Sequence, residues 1–196
     1  VAIQFVLFEV GVLVFGWYYG LWNAVLAGTA AVAVAAVGSV EMHRLGAKNR
    51  LLSTPPSHKR LLFGTSIEIV LGVLAFIALL TYLIAVEGTL LTQLFGANPP
   101  IPVVYLTLLI LWDLTYRIGT SWWSAVVALW RAVHLDLPTD EAASARRLDA
   151  ENIGFSVLQL ALVPFLLDEP ILLGAVVGHV LAVAVVCSAA ILLTRP

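Results

Sequence analysis

Charge is scarce in this sequence. Asp, Glu, Lys and Arg together make up 11% of its 196 residues, where a soluble domain carries about 25%. Hydrophobic residues reach 61%, and the mean hydropathy is +1.02. One small water-exposed surface cannot cover that much apolar side chain, so the lipid bilayer is the expected solvent and first partner. Cysteine is scarcer still. Cys187 stands alone, which excludes an internal disulfide and any multi-cysteine metal or cluster site. Ten basic residues face twelve acids, a net charge of −2, and that balance offers no field to hold a nucleic acid. Only Lys48 and Lys59 of the ten are lysines, and Ala and Val are abundant, a composition that leans towards a GC-rich prokaryote. No Gly-rich phosphate loop ending in Lys-Ser or Lys-Thr occurs, and no HExxH motif or Gly-x-Ser-x-Gly elbow. ATP-driven transport by this chain alone, zinc proteolysis and that serine chemistry are thereby disfavoured. A potassium-filter sequence of the Thr-Val-Gly-Tyr-Gly type is missing as well.

What the chain does have is long apolar runs. Six can be drawn, at about 1–17, 21–42, 61–86, 101–121, 149–167 and 171–194. A spanning helix needs roughly 20 apolar residues. None of the runs shows the strict alternation of a membrane barrel. The expected fold is therefore an all-α, polytopic six-helix bundle of three hairpins, a single transmembrane domain over 1–196. The first run lacks the charged start of a secretory signal, so it is read as a retained span. Basic residues gather in two connections, Arg44 to Arg60 and Arg131 to Arg147, while 87–100 and Asp168-Glu169-Pro170 carry none. Basic loops remain in the cytoplasm, which places both termini there and predicts a multi-pass protein of the prokaryotic plasma membrane. Trp17, Tyr18, Tyr19 and Trp22 suit an external aromatic belt, and Trp122, Trp123 and Trp130 an internal one. The stretch 101–134 would reach about 50 Å as one helix. It must project beyond the bilayer or break near Gly119. Thr139 is a cap candidate for the helix that follows.

Ionisable groups inside hydrocarbon cost about 2.5–3.5 kcal/mol on insertion scales and mark cavities, pairs or pathways. Glu9, Glu68, Asp113, Arg117 and His179 fall within the runs. Asp113 and Arg117 are four apart and share a helix face, which Tyr116 and Thr120 extend. Asn152, Ser156 and Gln159 share a face of the fifth helix. By helical rise these groups, with Glu9 and Glu68, lie at a similar depth near the cytoplasmic side. A polar pocket open to the cytoplasm is expected, lined by Glu9, Glu68, Asp113, Tyr116, Arg117, Asn152, Ser156 and Gln159. A purely structural network that holds the helices together is the competing expectation. His179 is a candidate proton relay or, more simply, an interhelical hydrogen-bonding residue, with Gly174 and Gly178 allowing close helix approach. Haem would need a second histidine at matching depth, and His43, His58 and His134 lie elsewhere. No cofactor and no metal are expected.

Arg60-Leu61-Leu62-Phe63-Gly64-Thr65-Ser66 resembles, over those few residues, the Arg-x-x-x-Phe-Ser-Asp signature of lysosomal-type potassium channels. Its spacing is one residue short and the Asp is missing, so no family is assigned on it. The functional expectation is a small channel or secondary transporter for a cation or proton, working as a homo-oligomer. The alternatives are a non-catalytic membrane subunit that binds a partner, and an intramembrane enzyme acting on a lipid or quinone.

Overall fold

The computed structural model describes residues 2–86 and 89–195. Among the described residues every regular element is helical and there is no strand. The elements are α1 (Ala2–Tyr19), α2 (Trp22–Asn49), α3 (Pro56–Phe63), α4 (Ile67–Thr81), α5 (Thr89–Phe95), α6 (Ile101–His134), α7 (Thr139–Leu158) and α8 (Pro170–Leu193). A π-helical turn, Tyr82–Val86, continues α4, and a 3-10 segment, Gln159–Phe165, continues α7.

The distribution of polarity is that of a protein solvated by lipid. Ile3, Leu7, Val70, Leu74, Leu181, Val185 and Leu192 are each more than half exposed, whereas His58, Gln159, Glu169 and Asn152 are among the most deeply buried side chains. In water, exposed apolar surface of this kind forfeits about 25 cal/mol per Å², and in hydrocarbon it forfeits nothing. Four helical stretches are long and apolar enough to cross a membrane: Trp22–Asn49, Pro56–Ala85, Ile101–His134 and Pro170–Leu193. The apolar stretch of α1, Ile3–Tyr19, is shorter.

α6 is the central helix and packs on α2, α4, α7 and α8. Its interior neighbours come from several elements. Phe5 of α1, Val34, Ala35 and Met42 of α2, and Leu148 and Phe155 of α7 join Ile110 and Leu114 in one buried cluster. Close approach of α2 depends on small residues. A Cβ at Gly38 would lie 2.5 Å from the Phe155 ring, and a Cβ at Gly28 would meet Val12 at 3.0 Å.

Several boundaries differ from the sequence reading. The run 61–86 is not one continuous α-helix. It breaks between α3 and α4, where Ser66 adopts a left-handed conformation with φ of 61°, and it ends in the π turn. α6 runs unbroken through Gly119 to His134, so the break allowed for near Gly119 does not occur. The run 149–167 is displaced: its helix begins at Thr139 and winds into 3-10 geometry at Gln159, with Pro164 inside that segment. Pro164 has no N–H and its ring crowds the preceding turn, which disfavours a continuing α-helix. Thr139 is not the cap. Pro138 holds that position, without a side-chain cap hydrogen bond. Gly174 and Gly178 do not mark close packing, since a Cβ at either would meet nothing within 4 Å.

Candidate functional site

The polar side chains anticipated as a pocket are dispersed over the bundle rather than gathered in one place. At the α1–α2 contact, the Thr29 hydroxyl donates to Glu9 Oε1 at 2.8 Å. On α6, Arg117 Nη2 donates to Asp113 Oδ1 at 2.9 Å and Nε donates to Oδ2 at 3.4 Å. One helical turn separates the two residues, so the fork of the guanidinium meets both carboxylate oxygens. Gln4 of α1 donates to the same carboxylate at 3.5 Å. Tyr116 stacks on Trp112, and the Arg117 guanidinium lies 5.5 Å from its ring centre. Where α6, α7 and α8 meet, the Ser121 hydroxyl donates to Asn152 Oδ1 at 2.8 Å. The Asn152 amide in turn donates to the Ser121 carbonyl at 3.0 Å and contacts Cys187 Sγ at 3.5 Å. Ser156 donates to the Ile153 carbonyl of its own helix.

Three expected site residues, Glu68, Gln159 and His179, have polar atoms without partners. Glu68 is buried in the first turn of α4 and its Oε2 has no hydrogen-bond partner. Gln159 is fully buried where α7 changes winding, and both ends of its amide are unpartnered.

The sequence reading missed several polar groups. Arg131 and Asp149 form a buried ion pair at 2.6 Å between α6 and α7. Glu151 receives Arg44, Lys48 and Arg147, and Ser53 donates to Glu141 through both backbone and side chain. These pairs tie the basic end of α2 to α7. Glu169, read as part of a connection without basic residues, is almost wholly buried, and it accepts a hydrogen bond from the Tyr82 hydroxyl at 2.9 Å. The stretch 44–60 holds basic residues and no acid, while 139–151 holds Asp140, Glu141, Asp149 and Glu151, and that opposition is the signal that could have suggested pairing across the two segments.

At the other end of the bundle lies a cavity of about 510 Å³. α1, α2, α4, α6 and α8 form its walls, and Leu90, Leu91, Leu94 and Phe95 of α5 close one side. Its lining is overwhelmingly Ala, Val, Leu, Ile and Phe, with Thr107, Thr115, Tyr82 and His179 as the polar side chains. Of the nine expected site residues, His179 alone lines it. Tyr82 and Thr115 are hydrogen-bonded to protein, Tyr82 to Glu169 and Thr115 to the Leu111 carbonyl. The Nε2 atom of His179 is buried and has no partner.

Fold and surface together define an all-helical membrane protein with a large, partly open apolar cavity between its helices. The profile of a family described as "Family of unknown function (DUF7530)" matches residues 1–190, and the chain belongs to that family. No curated protein and no solved structure matches it.

Proposed function

We propose that this protein binds one lipophilic molecule inside the membrane, within the cavity between α1, α2, α4, α6 and α8. The cavity itself carries the reading. Ligand sites are typically concave, apolar and about 300–1,000 Å³, and protein interiors otherwise leave few voids larger than a water molecule. A space of about 510 Å³ lined in this way suits an aliphatic or isoprenoid chain. It does not suit a hydrated ion, which would meet almost no oxygen or nitrogen ligands along that wall. This is closest to the lipid- or quinone-directed alternative of the sequence reading, with binding as its minimum content. The surrounding topology we propose is six crossings with both termini in the cytoplasm of a prokaryotic cell, because the basic connections then share one side.

A cation or proton path is the second reading. The unpartnered Oε2 of buried Glu68 favours it. The Asp113–Arg117 and Ser121–Asn152 groups weigh against it, because they are bonded to each other.

A fluorescent polyene hydrocarbon titrated into the detergent-purified protein tests the first reading. Saturable binding of one polyene per chain is expected, lost on filling the cavity with Ala78→Trp and Ala175→Trp. Non-saturable partitioning, indistinguishable between wild type and the double variant, would overturn it.

A further inference from the structure

His179 lies at the deep end of the cavity. On α8 the lining begins at Ile171, next to the Asp168–Pro170 turn, and ends at His179, about 12 Å further in by helical rise. Its Nε2 is buried without a partner, and a buried polar atom left unsatisfied is destabilising. Two of the other polar groups on the wall, Tyr82 and Thr115, are spent on protein acceptors. The lining is thus an aliphatic sleeve with the His179 imidazole at its inner end, a ring whose Nε2 no protein group satisfies.

Resting on the lipophile-binding reading, we infer that His179 recognises the head of the bound molecule. That molecule is a long-chain lipid bearing one uncharged hydroxyl or carbonyl, bound head-inward with its chain running towards α5. An imidazole nitrogen donates to a carbonyl in one tautomer and accepts from a hydroxyl in the other, so either head is satisfied. A charged head is excluded by the same wall. No carboxylate, Lys or Arg lines the cavity among the described residues, and an unpaired charge taken from water into such a space loses several kcal/mol. Phospholipids are therefore not the ligand, whereas isoprenoid alcohols, fatty alcohols and quinone-like carbonyl lipids are of the right class.

The test is competition against the fluorescent polyene by two probes with the same chain, phytanol and phytane, which differ by one hydroxyl. On the wild type, phytanol should displace the polyene about tenfold more effectively than phytane, the worth of one buried hydrogen bond. His179→Leu should bring phytanol to the level of phytane without weakening phytane. His179→Gln should keep most of the preference, and Thr107→Val all of it. Equal competition on the wild type, or a preference that survives His179→Leu, would overturn the assignment. A preference lost in Thr107→Val alone would also overturn it by moving the head to α6. Displacement of the polyene by both probes alike would leave the cavity reading standing while removing this one. Absence of any saturable polyene binding would remove both.

Discussion

At the scale of single residues, the interior holds polar groups in two states, paired and unpaired, and these make opposite predictions. Asp113 and Arg117 are joined at 2.9 Å in a largely buried position. Removing one partner leaves the other charge uncompensated, which typically costs about 3–5 kcal/mol. Asp113→Leu and Arg117→Leu should each lower the melting temperature in detergent sharply, and the double variant should recover most of the loss. Additive losses in the double variant would show that the two residues act independently. Gln159 is the reverse case. Its amide is fully buried with neither end partnered, so Gln159→Leu should raise the melting temperature by relieving about 1–3 kcal/mol of desolvation. A lower melting temperature would reveal a partner for that amide. The Asp113–Arg117 pair was legible in the sequence because an i,i+4 spacing fixes contact within one helix. The pairings of Asn152 with Ser121, Arg131 with Asp149 and Tyr82 with Glu169 were not. Each joins residues on different elements, 31, 18 and 87 positions apart, and nothing local encodes which helices meet.

At the scale of elements, backbone geometry and small residues set what can be changed. Ser66 connects α3 to α4 with a positive φ, a conformation that costs an L-residue about 1–2 kcal/mol and glycine almost nothing. Ser66→Gly should leave stability unchanged or higher, and Ser66→Val should reduce it, as read by thermal unfolding. Gly38→Leu should destabilise the α2–α6–α7 contact, because its side chain would enter the Phe155 ring and press on Arg117 Cβ. Gly174→Ala and Gly178→Ala, with open space at both positions, should be tolerated. Equal effects at Gly38 and Gly178 would contradict this packing. The ends of α1 and α8 were legible because an uninterrupted apolar run and its bounding turns coincide there. α7 was not, since its first half is charged and its hydrophobic half continues in another winding. Polarity alone therefore set the start ten residues late. Gly28 and Gly38 of α2 sit at close contacts, while Gly174 and Gly178 meet nothing within 4 Å, so glycine in a membrane helix does not by itself mark a contact.

At the scale of the whole molecule, two ends with different chemistry emerge. One is basic and cross-linked by ion pairs between α2, α6 and α7. The other is apolar and holds the cavity. Hydropathy showed that the chain belongs in lipid. It did not show the cavity, because a void is a property of how six elements fail to meet and each of its walls reads in sequence as ordinary apolar helix. Single cysteines probe the proposed topology. Introduced at Ser57 and Ala143, they should react with a membrane-impermeant maleimide only from the cytoplasmic side, and at Asn98 and Asp168 only from the outside, with buried Cys187 silent. Labelling of Ser57→Cys and Asn98→Cys from the same side would contradict the crossing order.

The cavity's occupancy is the central claim, and the most direct measurement is native mass spectrometry of the purified protein with identification of whatever stays bound. One uncharged, long-chain molecule per chain is expected, retained by the wild type and absent from the Ala78→Trp, Ala175→Trp variant. Wild-type protein that carries no such molecule, or carries the same lipids in the same amounts as the filled variant, would contradict a lipophile-binding function.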